Sequence, residues 1–154
     1  MRTFSGIDEF AEALGTQLGH SEWRTVSQDQ VDLFSDATDD HQWIHTDAER
    51  ARTGPFGGPI AHGLLTLSLI PSFMREIYQV KGLSMVINYG SNKVRFPNVV
   101  PVGSRLRAGA ELIAFDGGSQ GAQATVRVTI ELEGSEKPAC VAEIVSLLRE
   151  DQDS

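Results

Sequence analysis

Cysteine is almost missing. Cys140 is the single one among 154 residues, so no disulfide can form within the chain, and disulfide-stapled secreted scaffolds are excluded. Long apolar runs are missing as well: the longest, residues 60–70, is interrupted by His62 and closed by Pro71, well short of the ~18 apolar residues of a membrane span. The opening MRTFSGIDEF puts Asp8 and Glu9 where a secretory signal needs an apolar core, so a cytoplasmic location with no membrane partner is expected. Basic residues are scarce, 13 Lys and Arg against 21 Asp and Glu, and the net charge of −8 argues against nucleic acid or an anionic membrane as the main partner. Internal repeats and linkers are also lacking. What remains is 40% hydrophobic and 22% charged, a soluble globular composition long enough for one domain, taken as residues 1–154.

The residues present divide into two grammars. Residues 5–14 read as a short helix, capped by Ser5 with Asp8 three residues later, with Ile7, Phe10, Ala11 and Leu14 on one face and Gly15 as the stop. The first 20 residues thus read as a helical extension. A brief strand is expected at Trp23–Val26, then a helix opened by a Ser27/Gln30 capping box with Val31 and Phe34 inward. Residues 39–51 lack a clean period and read as a loop with a helical turn. Residues 60–80 read as one long buried helix kinked at Pro71.

After residue 82 the period becomes two. Ala124, Val126, Val128, Ile130 and Leu132 alternate with Thr125, Arg127, Thr129 and Glu131, and segments 83–96, 104–115 and 139–148 are also strand-like. Asp116-Gly117-Gly118 signals a hairpin, and residues 150–154 a frayed tail. A long buried helix followed by antiparallel strands implies an α+β domain with a sheet wrapped around a helix. Such a sheet has unpaired edges, so a homodimer is expected.

Charge is unevenly spread. Residues 1–50 hold eleven acids against Arg2, Arg24 and Arg50, whereas residues 77–110 hold Lys81, Lys93, Arg95, Arg105 and Arg107 and no acid. A basic stretch in an acidic protein suits a small polyanion such as the phosphates of a nucleotide or coenzyme; it equally suits a solvated sheet face.

The densest chemistry lies in Asp39-Asp40-His41-Gln42-Trp43-Ile44-His45. Three readings fit it. His41 and His45, four apart, share a helical face as metal ligands do, although Gln42 stands where a zinc protease needs a glutamate base and no third ligand shows. Alternatively, the acids cap a turn and a histidine satisfies a backbone carbonyl. In the third reading Asp40 and His45 address one water as general acid and base, their ordinary pKa values of roughly 3.9 and 6.5 bracketing neutrality. Downstream, Gly57, Gly58, Pro59 and Gly63 bring backbone close to the start of the buried helix. Its unpaired N–H groups there can polarise a carbonyl oxygen.

Together these residues resemble a known family. Asp40-His41-Gln42-Trp43-Ile44-His45 with Ala51, Gly58-Pro59-Ile60-Ala61-His62-Gly63 and Asn88-Tyr89-Gly90-Ser91-Asn92-Lys93-Val94-Arg95-Phe96-Pro97, followed by Pro101-Val102-Gly103, are similar to the MaoC-like (R)-specific enoyl-CoA hydratases and their nodulation protein N-like branch. The resemblance spans residues 20–148. It implies a hot-dog fold, a dimer, and reversible addition of water to trans-2-enoyl-CoA giving (R)-3-hydroxyacyl-CoA. It implies no cofactor and no metal, coenzyme A being part of the substrate. Asp40 and His45 correspond to the catalytic pair, and the Gly63 N–H to the donor for the thioester carbonyl. The signature usually reads Gly-Asp-x-Asn-Pro before the isoleucine and histidine. Here Gln42 keeps an amide on a longer arm, and Trp43 either walls the acyl tunnel or fills core.

Secondary candidates follow the same motifs. Ser68 supports the pair or bonds its own helix backbone. His62 lines the site or seals the helix start. Asn88 and Asn92 face the pocket or lie exposed, and Arg95 with Lys93 meets coenzyme phosphates. Cys140 reads as a small buried hydrophobe. A hot-dog acyl-CoA thioesterase and a non-catalytic acyl-CoA-binding dimer are the alternative functions.

Overall fold

The computed structural model describes residues 1–118 and 121–151. In chain order its elements are β1 (Arg2–Phe4), α1 (Ile7–Glu12), β2 (Gln17–His20), β3 (Arg24–Thr25), α2 (Gln28–Thr38), α3 (Trp43–Thr46) and α4 (Ala48–Arg52). Then come α5 (Gly63–Ser68), α6 (Ile70–Ile77), β4 (Tyr78–Val80), β5 (Leu83–Arg95), β6 (Arg105–Gly118), β7 (Gly121–Leu132) and β8 (Cys140–Glu150). The expected α+β class holds. A six-stranded antiparallel sheet runs β2-β6-β7-β8-β5, with β3 sharing the β6 edge beside β2. A separate parallel pair, β1 with β4, ties the N-terminus to the end of α6.

Alternation decides which sheet face meets the helix. Leu106, Ala108, Ala110 and Leu112 of β6 are fully buried, as are Val128 and Ile130 of β7 and Cys140 and Ala142 of β8. Against them lie Leu65, Ile70, Phe73 and Ile77 of α5 and α6. Alanines on the sheet let the helix approach closely, and larger residues on the helix fill the gap, as dense packing demands. A bulge between Leu112 and Ala114 shifts the alternation by one, so that Phe115 turns inward and meets Phe10 edge-on. Phe10 also stacks on Tyr78 and meets Phe4, closing the end of the sheet. Burial of Tyr78 raises its pKa to about 12, and burial of Cys140 raises its thiol to about 11.

Several expectations need correction. The long helix begins at Gly63 rather than residue 60 and divides at Leu69. Pro71 has no N–H to bond the Leu67 carbonyl, so the chain restarts as α6 with Pro71 in its first turn. Residues 78–80 leave the helix for β4. The N-terminal 20 residues are not a helical extension, since β1 and β2 pair within the sheets. Gly6, not Ser5, is the N-cap of α1; the Glu9 carboxylate reaches back to the Ser5 N–H and hydroxyl at 2.6 Å. Ser27 caps α2 as expected, its Oγ accepting from the Gln30 N–H. Asp116-Gly117-Gly118 still belongs to the ladder, which continues to Gly118↔Gly121, and the turn lies outside the described residues. The tail is bonded further than expected: Glu150 ends β8 and the Asp151 N–H donates to the Gly82 carbonyl, while residues 152–154 lie outside the described residues.

The basic stretch is dispersed by pairing. Arg105 meets Glu133, Arg107 meets Glu131, and Lys93 lies 3.8 Å from Glu143. Arg127 reaches both Glu111 and Glu143, its cross-strand neighbours. The outer face of the sheet is therefore a solvated ion-pair lattice. Lys81 and Arg95 have no carboxylate partner among the described residues, and the Arg95 guanidinium bonds the Val94 carbonyl.

Candidate active site

The site forms where three stretches of chain meet. Residues 59–61 lie antiparallel to residues 100–102: Ile60 bridges Pro101, the Ala61 N–H donates to the Val100 carbonyl at 2.8 Å, and the Val102 N–H donates to the Pro59 carbonyl at 2.9 Å. This clasp holds the segment before α5 against the segment after β5. The third stretch, residues 39–46, follows α2, whose end is set by Asp39 in the left-handed region at φ 59°. The turn redirects the chain so that α3 lays His45 against residue 60.

His45 is 7% exposed. Its Nδ1–H donates to the Ile60 carbonyl at 2.7 Å, since a carbonyl can only accept. Nε2 is thereby left as the lone-pair nitrogen of the neutral ring. Burial pulls the His45 pKa below the ordinary imidazole value. The neighbouring His62 acts the same way, while the Ile60 carbonyl and the Asp40 carboxylate oppose it. His45 is therefore held as a base.

Asp40 keeps its side chain half-exposed. One atom each of Asp40, His45 and His62 lies within 4.8 Å of the others. A water bonded at about 2.8 Å to two groups, with tetrahedral geometry, spans about 4.6 Å, so this spacing is compatible with one water shared by Asp40 and His45. The same three residues suggest a metal, and the ring geometry opposes that. The His45 and His62 rings stack at 3.8 Å with planes inclined by 24°, so an ion at bonding distance from one ring nitrogen would lie out of the plane of the other ring. His41, the other half of the metal pair weighed as one reading of the sequence, is half-exposed, 3.7 Å from Asp39 and 3.8 Å from Asp36.

A pocket of about 220 Å³ opens beside His45 and is lined by Ile60, Gly63, Thr66, Phe96, Asn98 and Val100 among others. Gly63 begins α5, so its N–H is one of the first-turn donors without an intrahelical partner. A Cβ on Gly63 would sit 3.1 Å from the Phe96 ring, so glycine is what lets that ring cover the helix start.

His45 meets Asp40 and His62 and shares the pocket with Gly63; the remaining sequence candidates lie elsewhere. Ser68 is exposed, and its hydroxyl donates to the Leu64 carbonyl one turn back. Gln42 is exposed and contributes its backbone N–H, not its amide, to a long 3.4 Å contact with Asp40. Asn88 and Asn92 lie exposed on β5, opposite Ser146 and Glu143 of β8. Arg95 is outside the pocket but next in sequence to Phe96, which lines it. His62 is buried behind the pair and is absent from the pocket wall. Trp43 is neither tunnel wall nor core: it packs on Gly54 beneath the Arg50 guanidinium. Sequence reasoning missed Thr66, Asn98 and Val100, which the clasp brings in, and Ser35, a buried serine on α2 that nothing in the local pattern marks.

A curved antiparallel sheet around a central helix, with an acid and a histidine presented beside the helix start, defines a hot-dog protein. The chain belongs to the MaoC-like domain family, whose pattern it matches over residues 9–134. It is 56% identical over 146 residues to 3-hydroxyacyl-thioester dehydratase Z of Mycobacterium tuberculosis, across 94% of this chain and 97% of that protein. It is 43% identical over 142 residues to nodulation protein N of Rhizobium leguminosarum bv. viciae, across 90% and 88%. Among solved structures it resembles the (R)-hydratase from A. caviae involved in PHA biosynthesis, with a TM-score of 0.70 and 26% identity over 86% of this chain and 94% of that one.

Proposed function

We propose that the chain catalyses reversible addition of water to a trans-2-enoyl-CoA, giving the (R)-3-hydroxyacyl-CoA, and the corresponding dehydration in reverse. The observation that carries the reading is the neutral, pocket-lining His45 set within one water's span of the Asp40 carboxylate. In this reading the shared water gives a proton to the pair as its oxygen attacks C3. The displaced electron pair moves through C2 to the thioester oxygen, where the Gly63 N–H stabilises the enolate. One such donor is worth roughly 3 kcal/mol. The protonated base then returns a proton to C2 on the same face, so the water's atoms end as the C3 hydroxyl and a C2 hydrogen. The names of the relatives above support a 3-hydroxyacyl thioester as substrate, and no step calls on a cofactor.

Arg95, a cation without a carboxylate partner beside the pocket wall, supports coenzyme A as the carrier through a charge-assisted contact with its phosphates. A second copy of the chain is the proposed partner. β5 runs 13 residues with one edge unpaired among the described residues, and Met85, Val86, Ile87 and Tyr89 are exposed along it.

The test is a trans-2-enoyl-CoA assay that follows loss of the conjugated thioester absorbance, with a thiol reagent in parallel. Absorbance loss without thiol release, abolished in Asp40→Asn, is expected. Thiol release would convert the reading to a thioesterase. Silence on both counts across short and long chains would leave a binding module.

A further inference from the structure

His62 is a costly residue in its place. It is 3% exposed, and its Nδ1 is buried with no hydrogen-bond partner among the described residues. A leucine or phenylalanine would fill the same space without stranding a polar atom. Packing alone therefore does not account for an imidazole here.

Its remaining contacts run to the proposed reaction pair and to α2. Nε2 lies 3.1 Å from the Asp40 backbone carbonyl, which can only accept, so Nε2–H donates. The Ser35 hydroxyl, completely buried on α2, lies 3.2 Å from the same nitrogen. The ring stacks on His45 at 3.8 Å, and the Phe34 ring centroid is 4.8 Å away. His62 precedes Gly63 directly, so one dipeptide touches the backbone of Asp40, the ring of His45 and the start of α5. Of the charged and titratable groups around it, Asp40 and His45 face it from residues 39–46, while α2 offers the neutral Phe34 and Ser35.

We propose that His62 is a positioning residue for the Asp40/His45 pair: it holds the backbone of one and the ring plane of the other, and Ser35 holds His62. It is only 3% exposed and stacked on His45, so it acts through the pair and not on substrate. Its work is to keep both groups on one water. The inference rests on the hydratase reading above and extends it to residues behind the site.

Two substitutions separate the contacts. His62→Phe keeps a ring against His45 and removes the donor to Asp40, whereas His62→Gln places an amide N–H near the position of Nε2 and removes the stack. His62→Phe is expected to lower kcat roughly tenfold to a hundredfold, the scale of a misplaced reacting group, with KM within about twofold. His62→Gln is expected to recover the part of that loss due to the Asp40 contact and to keep the part due to the lost stack. In both, the acidic limb of the kcat/KM profile moves to higher pH, because the second imidazole no longer opposes a proton on His45. A residue that only filled space would change the melting temperature and leave kcat per folded molecule and the pH limb in place, and that result overturns the proposal. Should His62→Phe not fold, Ser35→Ala takes its place, with a smaller kcat loss expected and an unchanged kcat overturning the proposal. If wild type itself lacks hydration activity, the function reading falls and this inference with it. An active wild type with unaffected His62 variants removes only the inference.

Discussion

Replacing His45 with glutamine tests stability and chemistry in one molecule. The imidazole makes a 2.7 Å hydrogen bond to the Ile60 carbonyl and stacks on His62. If the glutamine amide does not reach residue 60, a buried carbonyl is stranded at a cost of about 1–3 kcal/mol. The pH dependence is the sharper prediction. The folded pKa of His45 lies below the ordinary imidazole value because burial resists its charge. Above about pH 6.5 neither the folded nor the unfolded ring carries a proton, and the contribution is zero. As pH falls through 6.5 the unfolded chain takes the proton first, so stability drops by at most about 1.4 kcal/mol per pH unit until the folded pKa is reached. Urea unfolding at about pH 7.5 and about pH 5.5 should therefore show wild type losing up to about 1.4 kcal/mol more than His45→Gln. Turnover should fall about 10²- to 10⁴-fold, as for loss of a general base. Equal pH losses in the two proteins, or turnover within tenfold of wild type, would refute the placement of His45 as a buried neutral base.

Ser68→Ala should leave kcat/KM unchanged and stability within about 0.5 kcal/mol, since its hydroxyl only bonds the Leu64 carbonyl at the surface; a marked kcat loss would return Ser68 to the site. Gly121→Ala should destabilise by upward of about 2 kcal/mol in chemical unfolding, because φ is +134° and the new Cβ would fall 1.9 Å from the Leu148 carbonyl oxygen; a neutral result would contradict the β7–β8 register. Sedimentation should show wild type as a dimer and Val86→Lys as a single chain, the charge disrupting the free edge of β5; a monomeric wild type would refute that interface.

How much of this was legible in the sequence depended on how local the causes were. The period of two in residues 124–132 located β7 and its inward face, because alternation is a property of the strand itself. Ser27 located the start of α2 for the same reason. The break at Leu69 was legible as a kink at Pro71, but the loss of residues 78–80 to β4 was not. That strand exists because Arg2–Phe4 pairs with it across most of the N-terminal half of the chain. The bulge that turns Phe115 inward depends on its partner β7 and leaves no local mark. At the site, Asp40 and His45 could be named because both sit in one polar seven-residue run. Ser35, Asn98 and Val100 reach them only through tertiary contacts.

The separation of the site into a reactive front and a buried back has a physical origin. Asp40 is half-exposed and held by few bonds, so its direction depends on whatever grips its backbone. His45 is buried and held at Nδ1, which fixes its tautomer, but one hydrogen bond leaves a ring free to rock about that bond. Stacking removes that freedom, and only a flat ring behind His45 provides it without competing for Nε2. The position before Gly63 meets this need while also reaching the Asp40 carbonyl, because the clasp between residues 59–61 and 100–102 anchors it. The orphaned nitrogen of His62 is then the cost of using an imidazole as a wedge, and the cost is structural while the benefit is chemical.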